Sequence, residues 1–171
     1  MAEFPAPRRD QLYEEAVAAF GAALTRLARA YEADADRRRD LLQEIHIALW
    51  RSLASFTGQC SLRTWVYRVA HNRAISLSVR TRDRRARLLA IDDIEPPAAA
   101  IDLDRAIDEE RTLERVHAAI RSFNPIDREV ILLYLEELDA ATIAEITGLS
   151  AANVATKVHR IKRSLIERGN P

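Results

Sequence analysis

Apolar residues recur at steps of three and four along most of this chain, which is the period of a helix that buries one face. Residues 9–32 predict a first helix and residues 37–55 a second, while Ser61 can cap a third. The chain has four glycines and few alternating apolar stretches, so the pattern predicts an all-α fold. The predicted inward positions of the first two helices are Leu12, Ala16, Phe20, Leu24, Leu27, Tyr31, Leu41, Leu42, Ile45, Leu49, Leu53 and Phe56.

Two adjacent prolines, Pro96 and Pro97, interrupt the helical pattern inside an acidic stretch. We therefore expect two small helical domains, residues 1–90 and 105–171, joined by an acidic flexible linker over residues 91–104. In the second domain Asn124 and Pro125 have the form of an N-cap and a first helical residue. Its expected apolar positions are Leu113, Val116, Ile120 and Phe123, followed by the buried Val130, Ile131, Tyr134 and Leu138.

The last third of the chain predicts a helix-turn-helix. Asp139 is a good N-cap, Gly148 tolerates a left-handed backbone at a helix end, and Ser150 can cap the next helix. That last helix, residues 151–168, has hydrogen-bonding and cationic side chains opposite its apolar stripe, which suits a helix lying in a DNA major groove. An amphipathic helix with a solvated face is the plainer interpretation. The predicted stripe is Val154, Val158, Ile161 and Leu165.

Composition narrows the class of protein further. No apolar run approaches the roughly 18 residues of a membrane span, and residues 1–9 lack the apolar core of a signal peptide. We therefore expect a cytoplasmic protein. Cys60 is the single cysteine, which excludes intramolecular disulfides and cysteine-rich metal sites. The four histidines lack the spacing of a helical metal pair, and no glycine-rich phosphate loop is present, so we expect no catalytic residue, metal or cofactor.

The net charge is zero, but the charges are unevenly distributed. Residues 61–90 hold eight basic residues and one acidic residue, and residues 140–171 hold five basic and two acidic residues. Between them, residues 91–139 hold five basic and 14 acidic residues. Because binding to a polyanion follows the local potential, the two basic zones are candidate DNA surfaces and the middle zone is not.

The order of these parts resembles the bacterial RNA polymerase sigma factors, in particular the small extracytoplasmic-function group, which keeps the second and fourth conserved regions of the larger family. The resemblance rests on DLLQEIHIALW at residues 40–50, TWVYRVAHNR at residues 64–73, the acidic linker, and NPIDREV at residues 124–130. It implies a factor that binds core RNA polymerase and directs promoter recognition, DNA melting and transcription initiation. It also implies an anti-sigma factor as inhibitor.

The resemblance implies three sets of functional residues. Core polymerase would bind to Asp40, Leu41, Gln43, Glu44 and Trp50. The proximal promoter element and its melted strand would bind to Phe56, Gln59, Ser61, Arg63, Trp65, Arg68, Asn72, Arg73 and Arg80. In the distal element, bases would lie near Asn153, Thr156, His159 and Arg160, and phosphates near Ser150, Lys157, Lys162 and Arg163.

Three positions depart from the family pattern, and other interpretations stay open. His46 stands where an aromatic residue is common. Ser76 stands where region two often has an aspartate, and Ala155 stands where a basic residue is common, which leaves the promoter sequence and the strength of melting undetermined. Trp50 could equally be a core residue, and the arginines a solvated face. The alternative function is a one-component helix-turn-helix regulator that binds DNA without polymerase, and a helical adapter is a third class. A requirement for core polymerase in specific DNA binding distinguishes a sigma factor from a one-component regulator.

Overall fold

The computed structural model describes the backbone of residues 6–89 and 106–169 and the side chains of residues 8–80 and 112–167. All regular structure in these ranges is helical, which confirms the all-α prediction. The predicted linker, residues 91–104, lies outside the described residues, so the proposed domain boundaries stay a prediction. The helices are α1 (Ala6–Tyr31), α2 (Ala35–Ser52), a 3₁₀ turn (Leu53–Ser55), α3 (Leu62–Leu89), α4 (Ala106–Ser122), α5 (Pro125–Leu135), α6 (Ala140–Thr147) and α7 (Ala151–Gly169).

Short polar side chains fix where several helices begin. The Asp34 carboxylate accepts hydrogen bonds from the first backbone N–H groups of α2, and these bonds lower its pKa. Ser61 Oγ accepts from the Thr64 N–H at 3.0 Å at the start of α3. Asn124 accepts from the Asp127 N–H at 2.9 Å, with Pro125 as the first residue of α5. The predicted caps Ser61 and Asn124 are therefore confirmed.

Helices α1, α2 and α3 pack on one another around a common apolar core. Its fully buried side chains include Leu24, Ile45, Leu53 and Val66. Burial of each such side chain contributes about 1.5–3 kcal/mol to folding. Residues of the second half of the chain belong to the same cluster: Ile120, Ile131, Leu132 and Ile161. The two halves thus share a core in this arrangement.

A second apolar cluster holds α5, α6 and α7 together. Val130, Leu133, Ile143 and Val154 are all almost fully buried there. Tyr67 of α3 is 2% exposed and belongs to this cluster, as does Ala23 of α1. The packing between the halves is therefore reciprocal, since each half contributes apolar side chains to the other's core.

A histidine and a tyrosine form a polar pair inside the first cluster. His71 is 1% exposed, and its Nδ1 lies 3.1 Å from the Tyr31 hydroxyl. Burial disfavours the charged imidazole and lowers the pKa of His71 to about 3. The same burial raises the pKa of Tyr31. Both groups are therefore neutral in the folded protein at ordinary pH.

The expected apolar positions of the second half are only partly buried. Ile120, Val130, Ile131 and Leu138 are buried as predicted. The prediction that Tyr134 is buried is wrong: it is 37% exposed, and the neighbour that its ring and hydroxyl contact is the Lys162 ammonium on α7, at the protein surface. Leu113 and Val116 of α4 are also exposed, at 45% and 41%, although they share a face with Ile120.

Candidate nucleic-acid and protein interfaces

Helices α6 and α7 form the predicted helix-turn-helix. The Asp139 carboxylate accepts from the Thr142 N–H at 2.7 Å, which lowers the pKa of Asp139 and starts α6. Gly148 ends α6 with φ 76°, in the left-handed region that favours glycine. Ser150 Oγ then accepts from the Asn153 N–H at 3.2 Å and caps α7. The left-handed Gly148 and the Ser150 cap therefore set the short turn between the helices.

Helix α7 has one buried and one open side. Val154 and Ile161 are at most 1% exposed, whereas Val158 and Leu165 of the predicted stripe are half-buried. The opposite side is exposed and combines amide, hydroxyl, imidazole and guanidinium groups, the donors and acceptors that contact base edges and phosphates. The exposed predicted DNA residues of this side are Asn153, Thr156, His159, Arg160, Lys162 and Arg163.

A buried carboxylate that was not among the predicted functional residues links α5 to α7. Asp127, with its side chain 6% exposed, accepts from Lys157 Nζ at 2.7 Å and from Arg160 Nη2 at 2.6 Å. Its other contact is Asn124 Nδ2 at 2.8 Å. Burial alone would raise the pKa of Asp127, but the hydrogen bonds from Lys157 and Asn124 hold it below its usual value. Lys157 and Arg160 are thus anchored to α5.

The basic face of α3 is divided between three environments. Arg63 and Arg68 donate to carbonyl groups of the second half of the chain. Arg73 forms an ion pair with Glu44 of α2. Asn72 and Arg80 are exposed. Arg63 is exposed as well, so Arg63, Asn72 and Arg80 stand open among the predicted DNA residues of α3, whose side chains are described as far as residue 80.

The aromatic residues predicted to stack on a melted strand pack on each other instead of standing open. Phe56 is 9% exposed, and its ring centroid lies 5.3 Å from that of the half-buried Trp65. The Trp65 indole N–H donates to Ser52 Oγ at 3.0 Å. The 3₁₀ turn before Phe56 directs its ring inward, which gives this side chain a structural role here. In the same loop, the Gln59 side chain accepts from both the N–H and the hydroxyl of Thr57 at 2.8 Å.

The outer face of α2 carries most of the predicted polymerase-binding residues. Asp40 and Gln43 are exposed, and the half-buried Glu44 is paired with Arg73. Leu41 does not belong to this surface, because it is 7% exposed and packs in the apolar core. The helical period places it on the buried stripe with Ile45.

Trp50, at the end of that face, is covered by the start of α1. The Arg9 guanidinium lies 3.5 Å from the centre of the Trp50 ring, and the indole N–H donates to Asp10 Oδ1 at 2.9 Å. Trp50 is therefore half-buried at the surface and is not part of the apolar core.

A further carboxylate that no sequence motif indicated joins the two halves of the chain. Both Glu136 oxygens accept from Arg26 of α1, at 2.7 and 2.6 Å, and Tyr67 donates to the same carboxylate at 3.2 Å. Arg63 donates to the Glu136 carbonyl at 2.5 Å. Burial and the Glu136 charge together raise the pKa of Tyr67 to about 12. Glu136 directly follows α5 in the second half of the chain, whereas Arg26 and Tyr67 belong to the first half. These contacts therefore depend on how the two halves pack.

The side chains described here include no group of three His, Cys, Asp or Glu residues that could hold a metal ion. Within the described ranges, no helix combines the length and apolar character needed to cross a membrane.

Comparison with known proteins decides the family. Residues 16–85 match Sigma-70 region 2, and residues 113–165 match Sigma-70, region 4. The chain belongs to the extracytoplasmic-function group of sigma factors. As a sigma factor it serves transcription initiation by RNA polymerase. The match to region 2 is not expected of a one-component regulator, so that alternative is not favoured.

Two curated sigma factors are similar to this one along most of their length. RNA polymerase sigma factor YlaC of Bacillus subtilis (strain 168) is 29% identical over 133 residues, which cover 74% of each chain. RNA polymerase sigma factor NccH of Alcaligenes xylosoxydans xylosoxydans is 28% identical over 152 residues, covering 85% of this chain and 80% of NccH.

Two solved structures share the fold of this sigma factor. CnrH, solved in complex with the cytosolic domain of CnrY, has a TM-score of 0.66 at 21% identity, covering 98% of this chain and 96% of CnrH. The sigma factor RpoE was solved with the anti-sigma factor NepR from Bartonella quintana. It has a TM-score of 0.71 at 21% identity, and the match covers 93% of this chain and 98% of RpoE.

Proposed function

We propose that this sigma factor binds core RNA polymerase through the outer face of α2, and holds two promoter elements with α3 and α7. It acts in the cytoplasm and contributes no catalytic group, since the chemistry belongs to the polymerase. The observation that carries the proposal is the exposed polar side of α7, which projects from a capped helix-turn-helix in a chain that also contains region 2. A helix-turn-helix places its second helix in the major groove.

The polymerase-binding surface consists of Asp40, Gln43, Glu44 and Trp50. Carboxylate and amide groups beside a half-buried indole form a typical interface centre, in which the aromatic ring supplies most of the contact area. Trp50 becomes available only when Arg9 and Asp10 leave its ring and its N–H. Leu41 supports this surface from the core and does not contact polymerase.

The proximal promoter element binds along α3 and the loop before it. Arg63, Asn72 and Arg80 are exposed for contact with DNA, although Arg63 also donates to the Glu136 carbonyl. The half-buried Arg68 and Arg73 join them once their protein partners are displaced. Single strands bind to cationic grooves with aromatic side chains. The remaining members, Phe56, Gln59, Ser61 and Trp65, shape the loop. Ser76, whose hydroxyl donates to the Asn72 carbonyl at 2.8 Å, cannot supply the carboxylate common at its position.

The distal element binds to α7. The base edges lie near Asn153, Thr156, His159 and Arg160. The phosphates lie near Ser150, Lys157, Lys162 and Arg163. Lys157, 20% exposed, has to leave Asp127 before its ammonium can contact a phosphate, whereas Asp127 holds the 63% exposed Arg160 in a defined position on the helix. A fixed side chain loses less rotamer freedom on binding. Ala155 is exposed and offers no charge on this face.

In vitro transcription with purified core polymerase across a genomic fragment library tests the proposal. We expect new start sites only when the protein is present. Specific DNA binding without polymerase would instead support a one-component regulator, and no binding to either partner would refute both.

Variants separate the two kinds of surface. Gln43→Ala is expected to weaken capture of core polymerase, with exposed Gln11→Ala on α1 as matched control. Arg163→Ala is expected to weaken promoter binding at all sequences and to reduce the salt slope by about one, with exposed Arg115→Ala as control. Asn153→Ala is expected to relax base preference, by about 1–3 kcal/mol at one position. If all of these variants behave like their controls, the assigned surfaces are wrong.

An anti-sigma factor is the proposed regulator. Support comes from RpoE, a structurally similar sigma factor that was solved with one. A protein that binds this chain and abolishes its transcription with core polymerase would confirm the regulator.

A further inference from the structure

A cavity of about 360 Å³ lies at the surface between α5, α6 and α7. Its size is at the lower end of the range of small-molecule sites, which extends from about 300 to 1,000 Å³. Apolar side chains line most of it, and three of them, Leu138, Ile143 and Val154, are each at most 5% exposed. The half-buried Val158 and the exposed Ala155 line it nearer the solvent. The cavity therefore fits the apolar body of a small ligand.

Hydrogen-bond donors of Tyr134, His159 and Lys162 belong to the same cavity. Lys162 Nζ lies 3.3 Å from the Tyr134 hydroxyl and 5.2 Å from the centre of its ring. His159 precedes Lys162 by three positions, which places both side chains on the same flank of α7. A hydroxyl, an imidazole and an ammonium beside one another suit an acceptor that carries negative charge.

The charges of the cavity also favour an anion. In the described part of the chain, Lys162 has a hydroxyl and an aromatic ring as neighbours but no carboxylate. Asp139 lines the cavity as well, but its carboxylate accepts from the Thr142 N–H at 2.7 Å as the cap of α6. The contact with the Tyr134 ring restricts the ammonium before a ligand arrives, so less side-chain freedom is lost on binding. The cavity is therefore complementary to an anion with an apolar body.

We propose that this cavity binds a small amphipathic carboxylate, with its apolar body against the buried lining and its charged group at Lys162 and Tyr134. Because His159 and Lys162 are also assigned to the distal promoter element, a bound ligand and that element compete for α7. The competition rests on the proposed function, whereas the binding does not. Such a ligand lowers initiation by this sigma factor without an additional protein.

A pair of probes tests whether binding depends on the charge. The first is para-(trifluoromethyl)benzoate, whose fluorine signal reports binding to the free protein by NMR. The second is the neutral para-(trifluoromethyl)benzamide, which has nearly the same shape. We expect the benzoate to saturate with a Kd of about 1 mM, as for a ligand of its size. The benzamide should bind about fivefold more weakly, because it lacks the charge that pairs with Lys162.

Variants test the polar and the apolar parts of the cavity separately. Lys162→Met keeps the stem of the side chain without its ammonium, so it should weaken the benzoate about fivefold and leave the benzamide unchanged. Ala155→Phe fills the cavity from its exposed side and should weaken both probes at least about tenfold. The controls are Arg115→Met, at an exposed cation on α4, and Ala152→Phe, at an exposed position of α7 outside the lining. Circular dichroism establishes that the variants keep their helices.

In vitro transcription with core polymerase tests the competition. With the benzoate at tenfold its Kd and the ionic strength held constant, the apparent affinity for the promoter should fall about tenfold. The benzamide at the same concentration should lower it less.

The outcomes separate the ligand site from the proposed function. Saturable, charge-dependent binding that Lys162→Met and Ala155→Phe weaken, and the controls do not, supports the site. Equal binding of the two probes, binding that does not saturate, or an equal loss in the controls overturns it. An unchanged promoter affinity at tenfold Kd overturns the competition. If transcription requires this chain while neither probe binds selectively, the ligand site fails and the proposed function stands.

Discussion

Removal of the Asp127 charge should loosen α7 from α5. The perturbation is Asp127→Asn, which keeps the shape of the side chain but turns one acceptor oxygen into an amide. Lys157 and Arg160 then lose the carboxylate that they share at 2.7 and 2.6 Å. Because the carboxylate is 6% exposed, water cannot fully replace it.

The expected loss follows from the exposure of the two partners. Lys157 has a side chain 20% exposed, so its bond counts as a shielded, charge-assisted one of about 1.5–3 kcal/mol. Arg160 is 63% exposed, and a solvent-screened pair of this kind contributes at most about 1 kcal/mol. We therefore expect a loss of about 2–3 kcal/mol, which corresponds to a fall in Tm of about 5–10 °C for a chain of this size.

Thermal unfolding followed by circular dichroism measures this loss. Asp36→Asn is the matched control, because Asp36 also pairs with an arginine, Arg39, but both side chains are about 80% exposed. The pKa of Asp127 is held below its ordinary value, so its stabilisation is present above that value and disappears as the pH falls through the lowered pKa. The reasoning is refuted if Asp127→Asn and Asp36→Asn have the same Tm. It is also refuted if the difference in Tm between Asp127→Asn and the unaltered chain stays constant as the pH is lowered.

Two substitutions and one titration probe other features of the fold. Gly148→Ala should cost about 1 kcal/mol in urea unfolding, because φ is 76° while nothing lies within 4 Å of an added Cβ; an unchanged midpoint would contradict this. Burial raises the pKa of Glu129 to about 7, so Glu129→Gln should gain stability over the unaltered chain as pH rises from about 4.5 to 7, by up to about 3 kcal/mol. A pH-independent difference would refute that assignment. His71, with a pKa of about 3, should show no imidazole titration by NMR near pH 6, and stability should fall as pH drops below about 6.5 because the unfolded chain takes up the proton.

The local features of the fold could be predicted because they depend on neighbouring residues. Asn124, Asp139 and Gly148 act on backbone groups within four positions, so their residue types indicate helix ends directly. The buried stripe of α1 follows from the helical period in the same way.

The contacts between distant residues could not be predicted from the sequence. Asp127 is 30 positions from Lys157, and Arg26 is 110 positions from Glu136, so each pair depends on how the helices pack. The sharing of apolar side chains between the halves is a property of the same packing. The prediction for Tyr134 was wrong for a related reason, since its contact with Lys162, 28 positions away on α7, depends on how α5 and α7 pack.

The two tryptophans of the chain give it a built-in optical readout. Trp50 lies under Arg9 on the outer face of α2, while Trp65 packs at a tilt against Phe56 near the start of α3. Each indole thus occupies one of the proposed surfaces, and its emission responds to whatever displaces its present neighbour. With phenylalanine at either position, the remaining fluorophore would follow polymerase docking or strand capture in real time, without an attached dye.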